Sequence, residues 1–124
     1  MLNDIRAEPT LPELRSEYSL QIAVQYIHSH LHCPITTTKL AELTGYSTGH
    51  FTKNFKKLFH CMPQEYINSV KLERAQKRLR ETGIPIPVIA EELGFCDASH
   101  FGKFFKAHTG ITPAVYRRTA IHKI

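Results

Sequence analysis

The chain carries one supersecondary unit twice. The stretch Leu40-Ala-Glu-Leu-Thr-Gly-Tyr-Ser-Thr-Gly-His-Phe-Thr-Lys-Asn-Phe-Lys56 is answered by Ile89-Ala-Glu-Glu-Leu-Gly-Phe-Cys-Asp-Ala-Ser-His-Phe-Gly-Lys-Phe-Phe-Lys106. Ala41, Glu42 and Gly45 match Ala90, Glu91 and Gly94 at a spacing of 49, and His50, Phe51, Lys53, Phe55 and Lys56 match His100, Phe101, Lys103, Phe105 and Lys106 at 50. One extra residue therefore sits in the second turn. Pro63 and Tyr66 are answered by Pro113 and Tyr116, so a whole unit is copied and not a short motif.

Each copy reads as helix, turn, helix. Ala41 and Ala90 are small enough for a second helix to cross closely, and Gly45 and Gly94 supply the positive φ that ends the first helix in a tight turn. Thr36, Ser47 and Asp97 are the expected N-caps, and Pro85 and Pro87 fall where a helix start tolerates a missing N–H. The second helix of each copy shows an apolar stripe at helical spacing: Phe51, Phe55, Leu58 and Phe59 in one, Phe101, Phe104, Phe105 and His108 in the other. These are the expected core. At about 100° per residue the opposite face carries Gly49, His50, Thr52, Lys53, Lys56 and Lys57 in the first copy, and Ser99, His100, Gly102, Lys103 and Lys106 in the second. Both faces are small or basic, and free of acid.

A further helix, with Leu20, Ala23, Val24, Ile27 and Leu31 in register and Pro34 as its stop, is expected to cover the first copy's core. Pro63 to about Thr82 reads as one linker helix with Gly83 beyond its end; Tyr66, Ile67 and Val70 lie on one side, and Leu72, Ala75 and Leu79 roughly opposite. At ~1.5 Å per residue it spans ~30 Å, close to the ~34 Å of one duplex turn. The expected architecture is all-α: two helix-turn-helix subdomains joined by a long linker helix, about seven helices in all. Residues 1–19 read as a flexible leader or linker, 20–62 and 83–121 as the subdomains and 63–82 as the joining helix.

Charge points to the class of partner. The net charge of +5 and pI near 9.2 favour a polyanion. The excess is concentrated in the body: residues 20–124 hold fourteen basic and seven acidic side chains, whereas residues 1–19 hold two and four. No apolar run approaches the ~18 residues of a membrane span, and the N-terminus lacks the pattern of a secretory signal; the expected location is the cytoplasm. Cys33, Cys61 and Cys96 are an odd number without close pairing, which argues against a disulfide framework or zinc ribbon and for reduced thiols. His28 and His32 lie four residues apart beside Cys33, yet no HExxH or Cys/His quartet appears, so neither metal nor cofactor is expected. The acids are scattered, with no nucleophile elbow and no glycine-rich loop after a strand, so no enzyme activity is expected.

At these residues the chain resembles the DNA-binding domain of the AraC/XylS family of bacterial transcription regulators. The likeness covers about residues 20–118; its most specific part runs from Ile89 to Arg117, and Lys71-Leu-Glu-Arg-Ala-Gln-Lys-Arg-Leu79 is similar to the family's joining helix. The resemblance implies a monomeric, nucleoid-associated domain that sets two recognition helices into adjacent major grooves of double-stranded DNA, with RNA polymerase as a further partner. Carried over by position, the base-reading residues are Gly49, Thr52 and Lys53 in the first unit, with Ala98, Ser99, His100, Gly102 and Lys103 in the second; His50, on the face matching His100, joins them. Gly49, Gly102 and Ala98 offer no hydrogen-bonding side chain, which leaves Lys53 and Lys103 as the best reagents for guanine edges. Thr36, Ser47, Lys56, Lys57 and Lys106 are assigned to phosphate. Lys71, Arg74, Lys77, Arg78 and Arg80 read first as an exposed helix face. Two other readings stay open: a protein-interaction module that contacts polymerase or another regulator without reading bases, and a histidine-based metal sensor.

Overall fold

The computed structural model describes the backbone of residues 11–122 and the side chains of residues 17–120. Among the described residues every regular element is an α-helix, seven in all: α1 (Leu11–Ser29), α2 (Thr37–Thr44), α3 (Thr48–Phe59), α4 (Pro63–Glu81), α5 (Ile86–Glu92), α6 (Ala98–Thr109) and α7 (Pro113–His122). They form two compact units. The first comprises α1 with Thr36–Pro63; the second takes His30–Ile35 and the chain from Gln64 onward.

In the first unit α1 packs on α2 and α2 on α3. Leu20, Ala23, Ile27, Leu40, Ala41, Phe51 and Phe55 are its buried apolar residues. Thr36 caps α2, its hydroxyl accepting from the Lys39 amide at 3.1 Å, and Ser47 caps α3 by accepting from His50 N–H at 3.2 Å. Gly45 closes α2 at φ +80°, where a side chain would be strained.

The second unit repeats the arrangement, with α5 against α6 and α6 against α7. Ile89, Ala90, Leu93, Phe101 and Phe105 are buried, as are Ile67, Val70, Ala75 and Leu79 on α4. Asp97 caps α6, a carboxylate oxygen accepting from the His100 amide at 2.8 Å. That charge also suits the positive end of the helix dipole. Arg117 Nε donates to the Leu79 carbonyl at 3.2 Å, tying α7 to the last turns of α4. Burying each of the phenylalanines Phe51, Phe55, Phe101 and Phe105 contributes roughly 2–3 kcal/mol.

Three expectations are corrected. The first helix begins at Leu11, not near residue 20; Glu17 and Tyr18 are exposed while Ser19 and Leu20 are buried. Helix therefore extends through residues that show no apolar period, and of the expected leader only residues 1–10 lie outside the described residues. Leu31 is not part of that helix: it is buried in the 30–35 segment, which groups with the second unit although the sequence places it in the first subdomain. Leu58 is 41 % exposed and His108 is exposed, so neither is core. Each sits in the last turn of its helix, α3 or α6, and His108 Nδ1 lies 2.9 Å from the Phe104 carbonyl. The linker helix runs as expected from Pro63 to Glu81, and the Thr82 hydroxyl donates to the Arg78 carbonyl just beyond its end.

Candidate nucleic-acid interface

The two second helices present the predicted faces, each within its own unit. On α3, Gly49, His50, Lys53, Lys56 and Lys57 are exposed and Thr52 is half-buried; on α6, Ser99, His100, Lys103 and Lys106 are exposed, with Ala98 and Gly102 half-buried. Neither helix contains an acidic residue. Each lysine therefore projects from a surface with no carboxylate of its own helix to neutralise it. Such a face attracts phosphate and suits a groove lined by acceptor atoms.

The starts of α3 and α6 each carry a cap and a ring contact. The cap fixes the backbone, and an aromatic ring from the preceding turn meets the histidine. Tyr46 and His50 lie 4.5 Å apart between ring centroids, and Phe95 meets His100 edge-on at 5.4 Å. These histidines are exposed at the helix start, each in contact with one aromatic ring. Tyr46 and Phe95 were missed by sequence reasoning, although the repeat contains the signal: each directly follows the turn glycine, at the same spacing of 49. Thr36 and Ser47 are already occupied as caps, so each retains one hydroxyl proton to donate to a phosphate oxygen.

Gly102 sits inside α6, where glycine costs about 1 kcal/mol relative to alanine, and Gly49 lies in the first turn of α3. A Cβ added at either would meet nothing within 4 Å. Neither glycine is thus required by the fold, and both leave an open notch on the basic face. Gly102→Ala is expected to raise stability by up to about 1 kcal/mol while weakening specific duplex binding. Chemical denaturation alongside a binding titration checks this; binding that improves with stability would remove any role for the notch.

Three of the basic residues of α4 make contacts within the second unit. Lys71 is half-buried, its Nζ 4.9 Å from the Phe95 ring centroid, and desolvation pulls its pKa below the ordinary lysine value. Arg78 Nε lies 3.5 Å from Glu92, and Arg80 donates to the Tyr116 hydroxyl at 3.0 Å, which raises the Arg80 pKa. Lys77 is exposed and Arg74 half-buried. The face expected to be exposed is so at Lys77 and Arg80 and half-buried at Lys71, Arg74 and Arg78, and Lys71, Arg78 and Arg80 also make contacts to the turn, α5 and α7. No group of three or more His, Cys, Asp or Glu residues is placed to hold a metal among the described residues, and His30 and His32 stack at 6.1 Å. Cys33 and Cys61 are half-buried and Cys96 exposed, all as free thiols. No helix among the described residues is long and apolar enough to cross a membrane.

Comparison with known proteins gives a consistent result. The model of a helix-turn-helix domain family matches residues 40–119. The HTH-type transcriptional regulator YobQ of Bacillus subtilis (strain 168) is 39% identical over 97 residues, covering 78% of this chain and 40% of that protein. The multiple antibiotic resistance protein MarA of Salmonella typhimurium is 31% identical over 99 residues, 80% of this chain and 78% of MarA. Among solved structures, an AraC-type DNA-binding-domain regulator from Chromobacterium violaceum superposes with a TM-score of 0.74 at 28% identity, covering 85% of this chain and 94% of that one. The chain thus spans less than half of the Bacillus relative and about four-fifths of MarA.

Proposed function

The chain belongs to the AraC-type helix-turn-helix family of transcription regulators, and from that premise we propose that it binds double-stranded DNA in a sequence-specific manner, with α3 and α6 as its two recognition helices. One observation carries the reading: Lys53 and Lys103 stand exposed at matching positions on duplicated helices that contain no acid. In this reading those lysines address guanine edges, and Thr52, Ser99, His50 and His100 supply supplementary contacts. Lys56, Lys57 and Lys106, with the cap hydroxyls of Thr36 and Ser47, address phosphates and set the register. In this reading the two helices occupy successive major grooves, about 34 Å apart in the duplex. The family's members are regulators and not enzymes, and no reaction is assigned. Action as a monomer in the bacterial cytoplasm, with RNA polymerase as a second partner, completes the reading.

Selection from a random duplex library is the direct test. Enrichment of a bipartite motif with half-sites about one turn apart is expected. Log affinity should also fall with log salt at a slope of about −3 to −5 if the exposed lysines displace counterions at ~0.9 each. A second reading, a protein-interaction module without base readout, draws on Gly49, Ala98 and Gly102, which carry no hydrogen-bonding side chain. A library that yields no motif, together with a shallow salt slope, favours that module.

A further inference from the structure

Phe95, in the turn between α5 and α6, touches the recognition helix through one ring. Its centroid lies 5.3 Å from that of Phe101 and 5.0 Å from that of Phe104, and His100 meets it edge-on at 5.4 Å. These three residues flank Lys103 in sequence. The ring is also met from α4, where the Lys71 ammonium lies over it at 4.9 Å. A cation above an aromatic face is held by the ring's quadrupole, so Lys71 gives that ring a preferred place.

The ammonium is costly where it sits. Lys71 is half-buried, and desolvation disfavours its charged form. Stability alone would be served by a methionine of similar length, which fills the same space without dehydrating a charge. A charge kept at such a place calls for another role, and its contact identifies one.

We propose that Lys71 is a positioning residue for base reading by the second unit, acting through the Phe95 ring to fix how α6 presents His100 and Lys103. The inference rests on the DNA-binding reading above. Recognition geometry must be held within about 0.5 Å to be productive, and a ring in contact with three residues of α6 is a direct means of holding it. Lys71 touches no base in this account, and it differs from a phosphate-binding lysine in what its loss does.

The test uses the whole chain and the motif enriched by the wild type. Lys71→Met keeps the apolar stem and removes the charge, Lys71→Arg keeps a cation able to lie on the ring, and Phe95→Leu removes the ring face. For Lys71→Met we expect specific affinity to fall about 5- to 20-fold. Penalties for base substitution should flatten only in the half-site whose penalties Lys103→Ala also flattens. The salt slope should be unchanged and the thermal midpoint should not fall, and Lys71→Arg should restore the wild-type pattern. Phe95→Leu should flatten the penalties of the same half-site as Lys71→Met, with a lower thermal midpoint because the ring also packs on Phe101 and Phe104, and combining the two should add little further flattening. A uniform weakening with a slope reduced by about 0.9 would make Lys71 a phosphate contact instead. Equal flattening in both half-sites with a lowered thermal midpoint would make it merely structural, and unchanged binding would give it no role; each overturns the proposal. If Lys71→Met does not fold, Lys71→Gln is read against the same outcomes. A wild type that enriches no motif removes the DNA reading itself, a result distinct from all of these.

Discussion

Gly94→Ala is expected to destabilise the protein by about 2–5 kcal/mol, whereas the same substitution at its repeat partner Gly45 should cost only about 1–2 kcal/mol. Both glycines lie in the left-handed region, at φ +81° and +80°, so both bear the backbone strain of an added side chain. Their surroundings differ. A Cβ at Gly45 meets nothing within 4 Å, but at Gly94 it would stand 2.6 Å from the Leu31 carbonyl oxygen and 3.3 Å from the His32 carbonyl carbon. Those atoms are backbone and cannot rotate away, so the 30–35 segment or the turn must move. The first turn needs glycine for its dihedrals alone, and the second also needs it for close approach. Because domains are stable by only about 5–15 kcal/mol, the Gly94 variant should lose a large part of its denaturation midpoint. Equal losses for the two variants would refute the claim that the 30–35 segment is seated tightly against the second turn.

That difference between two equivalent glycines marks where the sequence stops being legible. Features that are local in the chain could be read from it. Ser47 and Asp97 announce their caps three residues before the amides they bind, and the phenylalanine spacing separates Phe51, Phe55, Phe101 and Phe105 from the lysine faces. The repeat then gives each observation a second, independent copy. Features that depend on a partner distant in sequence could not be read. Nothing near Leu31 reveals that it leaves the first helix to lie against a turn more than sixty positions later. Nothing near Lys71, Arg78 or Arg80 reveals Phe95, Glu92 or Tyr116 as their partners, and an amphipathic helix with basic residues looks the same whether or not those residues are engaged. The opening turns of α1 escaped for a related reason: Glu17 and Tyr18 face solvent, so no apolar period marks their helix. Leu58 shows the converse error, since a residue in phase with a stripe is buried only if something lies across from it.

The largest functional effect is expected from removing together the two lysines proposed to read bases, Lys53 and Lys103. Lys53→Ala and Lys103→Ala should each weaken specific binding by about 1–3 kcal/mol, and because the two lie on separate units their effects should add. The double variant should then lose about 30-fold to 10⁴-fold in affinity for the selected site. Both side chains are exposed, so the fold should survive. Affinity for unrelated duplex should fall much less, since it draws on every cation near the backbone and Lys56, Lys57 and Lys106 remain. Removing those three instead should weaken all duplexes alike and shorten the salt slope by about 0.9 per lysine. The ratio of specific to non-specific affinity is therefore the quantity to measure. If the double variant keeps that ratio while losing affinity, Lys53 and Lys103 are further phosphate contacts, and discrimination would have to come from Thr52, Ser99 and the two ring-held histidines.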